Sequence, residues 1–301
     1  MTHTPSTQTA HRFGIAAITR MALVAGAAIL AAVVTTPTSA NAAISSSTLF
    51  SLKNPNITES SGIVAAGGIY FTHNDGPVNQ FFAVDRLGHT LAVYNTPGIP
   101  KFGDWEDVAA GTDGAGHPAL FFGAIGDNSR NRPEIAVIRV NRPVVNVAKT
   151  GVVANATGIT RYRFAYPDGP KDAESLAVQP GTNRIFIVSK AAGGGVYEAP
   201  ANPSTTALNK LVKIGTVTVT GATAADFSPD GKKFVVRQYK NAAIYRVANN
   251  NVAAAIKTAP VAFAMPSQRQ GEAITFGPTG TTLILSSEGQ YTPVLTMISP
   301  V

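Results

Sequence analysis

Carboxylates that return at one position of a repeat can meet around an axis, where they would bind a cation or trade protons. Glu59 in ESSGIVAAGG, Glu106 in EDVAAGTDG, Glu174 in ESLAVQPGT and Glu272 in EAITFGPTG each open a short alternating run that ends in a Gly/Pro-rich turn. A fifth run of the same shape, TAADFSPDG, begins at Thr223 and lacks the acid. Sixteen residues beyond these openings stand Asp75, Lys190, Tyr239 and Glu288; in the second unit the longer turn GTDGAGH moves the matching point to Asp127. Asp104, Asp172 and Gln270 precede three of the glutamates by two residues, and His73, Asn74, Asp107, Asn128 and Arg237 lie close by in sequence.

Four acids near one axis repel each other, and partial burial makes each charge costlier. Protonation, pairing with Lys190 and Arg237, or a cation would relieve this. Oxygen donors with no cysteine and few histidines favour a hard cation, Ca²⁺ over Zn²⁺. A cation would sit among Glu59, Glu106, Glu174 and Glu272, and Asp127 and Asn128 offer further oxygen donors at a strand end. His73 or Asp127 would take a proton, and Lys190 and Arg237 would stabilise developing negative charge. A structural role stands beside this one: the glutamates could bond backbone N–H groups of the neighbouring unit and fix the ring.

The elements that would position these groups are strands. Each unit opens with a hairpin whose strands meet at AAGG, GTDGAGH, QPGTN, SPDG or GPTG. Third strands follow at FFAVDR, EIAVIRV, GVYEAP, AAIYRV and VLTMIS, and fourth strands at HTLAVYN, ITRYRFAY, LVKIGTV and VAFAM. Most units are about 50 residues apart, a repeat length that, with so many strands and turns, predicts a β-propeller. The units are 59–105, 106–173, 174–222, 223–271 and 272–301. The last lacks a fourth strand, which Ser47 to Lys53 near the start would supply, closing the ring and removing an open edge. The expectation is all-β with five four-stranded blades; six blades, with a blade hidden in Asn141 to Gly158, is the alternative. The opening glutamates and the residues sixteen further on share one face, and the Gly/Pro turns with little chemistry share the other. Only Asn251 to Lys257 has helical character.

Arg12 and Arg20 precede an apolar stretch, Met21 to Val34, and a small-residue segment ending at Ala42. This pattern predicts a secretory signal peptide over 1–42, a propeller over 43–301, and a secreted protein. The apolar run is shorter than the ~20 residues a membrane span needs. There is no cysteine. The net charge of +7 is scattered, with no dense basic stripe interleaved with aromatics, so no nucleic-acid partner is expected. The expected partner is a small-molecule or anionic substrate, and the expected state is a monomer.

The segments DWEDVA, IGDN, DAESLAV, ADFSPDG and QGEAITF resemble secreted bacterial β-propellers. More distantly the chain is similar to calcium-dependent propeller hydrolases, the phytase-like and the gluconolactonase–paraoxonase groups. The resemblance implies calcium held in a central tunnel by acids and Asn at positions such as Glu59, Glu106, Asp127, Asn128, Glu174 and Glu272. It implies hydrolysis of a small ester, lactone or phosphoester. The phytase pattern also wants a dense basic cluster, for which only Lys190, Arg237 and Arg130 stand here. The other reading is a non-catalytic propeller that binds a ligand or an envelope component, because the fold hosts both.

Overall fold

A computed structural model describes residues 45–100 and 103–301. The expected signal peptide over 1–42 lies outside the described residues. The first strand, β1 (Ser46–Ser51), does not join the strand that follows it. It runs antiparallel to the last, β22 (Pro293–Ile298), with Thr48 opposite Leu295 and Ser51 opposite Pro293. The ring is thus closed by the first and last strands of the described residues, as the missing fourth strand of the last unit required.

Among the described residues five sheets follow in order, each built on four antiparallel strands. Blade 1 holds β2 (Ser60–Ala66), β3 (Ile69–Asn74), β4 (Gln80–Val84) and β5 (Thr90–Asn95). Blade 2 holds β6 (Trp105–Thr112), β7 (Pro118–Ala124), β8 (Ile135–Asn141) and β10 (Thr160–Ala165). Blade 3 holds β11 (Ala173–Val178), β12 (Ile185–Ser189), β13 (Gly195–Glu198) and β15 (Val212–Thr216). Blade 4 holds β16 (Ala224–Phe227), β17 (Lys233–Arg237), β18 (Asn241–Arg246) and β19 (Val261–Ala264). Blade 5 holds β20 (Gly271–Phe276), β21 (Thr282–Ser287), β22 and β1.

The segment that could have hidden a sixth blade instead supplies one strand, β9 (Val152–Asn155), which adds parallel to the outer edge of blade 1 beside β5. A two-residue strand, β14 (Asn209–Lys210), caps blade 2 in the same way. Each added strand covers an edge that would otherwise present unpaired N–H and C=O groups. The one helical turn among the described residues, α1 (Val252–Ala255), falls where the sequence suggested, capped by the Asn251 side chain accepting from Ala254 N–H.

Strand alternation puts one apolar face of each blade against the next, and five buried clusters fill the five seams. The seam between blades 1 and 2 is the most aromatic. Trp105 is wholly buried and stacks on Phe122 at 5.0 Å, and Phe122 lies 4.8 Å from Phe81. Each such side chain contributes roughly 1.5–3 kcal/mol by burial. The innermost strands β2, β6, β11, β16 and β20 line the axis, each against its two ring neighbours. Among the described residues no helix is long and apolar enough to cross a membrane.

Candidate metal site at the mouth of the axis

Three glutamates reach the axis by one backbone device. The ladder between first and second strands slips at Trp105/Asp107, at Ala173/Ser175 and between Gly271 and Ile274, leaving Glu106, Glu174 and Glu272 in β-bulges. A bulge re-aims the side chain it carries and ends regular pairing. The three carboxylates are 3%, 7% and 4% exposed.

The corresponding bulge of blade 1, between Ser60 and Gly62, carries Ser61 and not Glu59. Ser61 Oγ donates to the Glu106 carbonyl at 2.6 Å, and Thr223 Oγ1 in blade 4 donates to the Glu272 carbonyl at 2.8 Å. Two hydroxyl residues therefore occupy the glutamate position, alternating with acids around part of the ring. Glu59 belongs to a second, outer ring. Its carbonyl accepts from Asp75 N–H just as Asp104, Asp172 and Gln270 accept from Gly126, Lys190 and Glu288. The cause is the turn: Gly67 and Gly68, at φ 64° and 79°, form a two-residue hairpin loop, so this hairpin is shorter than the one built on QPGTN. Counting sixteen residues from Glu59 thus reached the right second-strand residue from the wrong first-strand one. Glu59 is exposed at the rim and outside the bulge ring.

Blades 1 and 2 gather Asp75, Asp104 and Glu106, whose carboxylate oxygens lie within 4.8 Å of one another. Gly126 makes this approach feasible, because a Cβ there would stand 1.9 Å from Glu106 Oε1 and 2.5 Å from Asp104 Cβ. Burial, then the charges of Asp75, Glu174, Asp104 and Asp172, push the Glu106 carboxyl up to about 11. Burial, with Asp104, Glu59 and Glu272 nearby, pushes Asp75 up to about 6. Among the described residues no cation answers these three groups with an ion pair.

The other side of the mouth is partly neutralised. Lys190 Nζ donates to Glu174 Oε1, while Glu174 Oε2 is buried without a partner. Burial and the charges of Glu272 and Asp172 raise Glu174 to about 8 against that contact. Burial works against the Lys190 charge, but the bond to Glu174 and its field outweigh it and raise the ammonium. Tyr239, whose ring centroid is 5.9 Å from Lys190 Nζ, stands beside Glu272, which accepts from Gln270 Nε2 at 3.1 Å. Burial raises Glu272 in spite of this bond. Glu288, half-buried at the blade 5 position, is pushed up to about 7 by burial and by Glu272, Asp75 and Glu59.

Several candidates take other places. His73 is fully buried in the seam of blades 1 and 2, edge-on to Trp105 and Phe122 at 5.7 and 5.8 Å, and burial lowers it to about 4. It packs a core and has no route to a ligand, because strand alternation turns it from the axis to the seam. Arg237 is also fully buried, donating to the Ala273 carbonyl at 2.7 Å and touching Gln268 Oε1; burial lowers it to about 10. Asp127 is tied down, with its N–H on Asp172 Oδ1 at 3.0 Å and its Oδ2 accepting from Arg132 N–H at 2.8 Å. Asn128 points to solvent on the loop beyond. The structure thus brings Glu106, Glu174, Glu272 and Lys190 together at the mouth and leaves His73, Arg237 and Asn128 apart from it.

Two acids below the mouth are latches. Asp107 Oδ2 accepts from Leu176 N–H at 3.0 Å and Ala225 N–H at 3.2 Å, and Oδ1 from Val108 N–H at 2.8 Å, so one carboxylate ties blades 2, 3 and 4. Burial raises it well above 3.8 against these donors. Asp226 accepts from Thr275 Oγ1 and Phe276 N–H, both at 2.8 Å, and ties blade 4 to blade 5. Asp75, Asp104 and Tyr239 are the site members that the repeat count placed nearby without a role.

An all-oxygen set of crowded carboxyl groups fits a hard divalent cation such as Ca²⁺, which would take the place of the protons that burial and mutual repulsion hold on Asp75 and Glu106. No protein-family model matches the chain, and no curated protein matches it. Among solved structures, a gluconolactonase of Xanthomonas campestris, described as important in glucose secondary metabolism, is similar over 78% of this chain and 70% of its own. The identity is 11% and the TM-score 0.44. The five-bladed architecture stands on the sheet topology above, independent of that likeness.

Proposed function

We propose that the axial mouth is the divalent-cation site of a propeller hydrolase acting on a small ester, lactone or phosphoester. The observation that carries this is the unneutralised trio Asp75, Asp104 and Glu106, with oxygens within 4.8 Å of one another. These three would hold the ion, and Glu174 Oε2, buried without a partner, is a further oxygen at the mouth. When bound, Ca²⁺ would polarise the oxygen of a scissile carbonyl or phosphoryl group and favour ionisation of a water molecule. Lys190 presents its ammonium beside Glu174 and offers positive charge to a developing oxyanion. Glu288, at about 7 and half-buried, replaces His73 as the group matched to accept a proton near neutral pH. The N-terminal pattern supports export, and Ca²⁺ is abundant outside cells at the affinities that extracellular sites use.

Isothermal titration with Ca²⁺, melting curves with and without chelator, and an ester, lactone and phosphoester panel test the proposal. Absence of both heat and a melting shift would remove the metal and the mechanism with it. The burial of His73 and Arg237 favours a second reading, a cation-braced propeller that binds a ligand or envelope component without turnover. Glu174→Gln combined with Glu272→Gln separates the two. Lost turnover with an intact melting curve supports the enzyme, whereas Ca²⁺ binding with no turnover on any panel member supports the binding ring.

A further inference from the structure

The face of hairpin turns, opposite the acids, also carries chemistry. Arg139 on β8 sits across from Thr160 on β10. Its Nη1 donates to Tyr162 Oη at 3.0 Å and its Nη2 to Thr160 Oγ1 at 2.7 Å. The guanidinium carbon lies 5.9 Å from the Tyr162 ring centroid. Two hydroxyls and a ring therefore fix the plane of the fork. Three other strand arginines of these blades do face carboxylates: Arg161 and Arg163 share Glu134, and Arg184 pairs with Glu198. Arg139 has no ion pair among the described residues, and its Nε is buried without a partner. A guanidinium carries five N–H donors in a rigid fork, and the chain uses two of Arg139's. Two hydroxyls and one ring face offset only part of the desolvation of a half-buried cation that has no counter-charge.

The fork lines a groove of about 530 Å³ between blades 2 and 3, walled also by Thr112, Tyr162, Thr182, Asn183 and Asn202. Asn183, at φ 57°, pins the rim across the seam: its Nδ2 donates to the Thr112 carbonyl and its Oδ1 accepts from Thr112 N–H at 3.0 Å. The groove therefore has fixed walls. Asp113 lies at its edge, but its carboxylate is occupied by the N–H groups of Ala115 and His117 and by the His117 ring at 3.0 Å.

We propose that this groove binds the oxyanion of a small molecule, a carboxylate, phosphate or sulfate, on the free N–H groups of Arg139, with Thr182 and Asn202 contacting the polar remainder. An oxyanion would supply the missing charge and accept a bidentate pair from the fork. The site is separate from the axial mouth and holds whether or not that mouth binds a cation.

The test uses the full chain freed of metal by chelation and desalting, so that no anion can bind through a cation at the axis. Inorganic phosphate, sulfate and succinate are titrated separately by calorimetry. Saturable binding of at least one is expected, and the tightest of the three identifies the oxyanion. Arg139→Lys keeps the charge but loses the fork, and about tenfold weaker binding is expected. Asn202→Asp leaves Arg139 and its bonds in place and sets a carboxylate at the exposed rim. It too should weaken binding about tenfold, in proportion to a like charge near the ligand. No saturable binding of any probe by the wild-type chain, or unchanged affinity in Asn202→Asp, overturns the proposal even if Arg139→Lys fails to fold.

Discussion

Replacing Asp107 by alanine should loosen three blades at once. Its carboxylate accepts N–H groups from Val108, Leu176 and Ala225, and the last two belong to the inner strands of blades 3 and 4. Aspartate 107 is 1% exposed, so the three donors would be left without partners in the centre of the ring. A buried donor stripped of its partner costs about 1–3 kcal/mol. Relief of a buried, desolvated carboxyl works the other way, which leaves a net loss of roughly 3–6 kcal/mol. That is a large share of the ~5–15 kcal/mol that holds a typical domain. Asparagine should cost far less: its oxygen can keep Leu176 and Ala225, which share Oδ2, and only the Val108 bond is lost, at about 1–2 kcal/mol. Urea unfolding followed by the fluorescence of Trp105, the sole tryptophan and fully buried, reads both values. If Asp107→Ala lies within about 1 kcal/mol of the wild type, or asparagine proves worse than alanine, the latch is not what joins these blades.

Further outcomes follow from the same geometry. Gly126→Ala places a methyl group against Glu106 Oε1 and Asp104 Cβ, so both must move: Ca²⁺ affinity measured by calorimetry should fall at least about tenfold, and the metal-free melting temperature should fall as well. Gly62→Ala drives a Cβ to 2.7 Å from both His73 Nε2 and Val108 N; a loss of roughly 2–4 kcal/mol in urea unfolding is expected from overpacking against backbone. Metal-free stability should fall as pH rises from 5 to about 8. Asp75, Glu288 and Glu174 stand at about 6, 7 and 8 in the folded protein, above their ordinary 3.8 to 4.5. The folded chain then holds protons that the unfolded chain has released, and the stability present at low pH is lost through that window. Saturating Ca²⁺ should flatten the profile, and a chelator-treated melting temperature that holds or rises between pH 5 and 8 would contradict the carboxylate reading.

Much of the ring was legible in the chain. Alternation and turn residues located the four core strands of each blade, and the absent fourth strand of the last unit pointed to the start of the chain, where β1 supplies it. The role of Val152–Asn155 was not legible: a four-residue run that pairs parallel with β5 has no partner in local sequence. Within the site, Glu174 and Glu272 were found because their hairpins have the same offset, and Glu106, whose hairpin is longer, because it opens the same alternating run. Glu59 was misplaced because one two-residue glycine turn shortens its hairpin, and Ser61, which takes the ring position, looks like any strand serine.

The sequence by itself determined the all-β class, the repeat, the ring closure and the face on which acids collect. Those depend on period-two burial and on turn chemistry, which are local and can be counted. Only the tertiary structure decided which acids meet. Asp75, Asp104 and Glu106 come from two blades, and their convergence depends on bulges and on a backbone approach that Gly126 permits. It also decided that His73 and Arg237 turn into the seams. A one-residue change of register sends a strand side chain from the axis to the core, so composition near the site could not separate a ligand from a packing residue. The opening glutamates began as a periodic signal; the fold divides them into three at the axis and one at the rim.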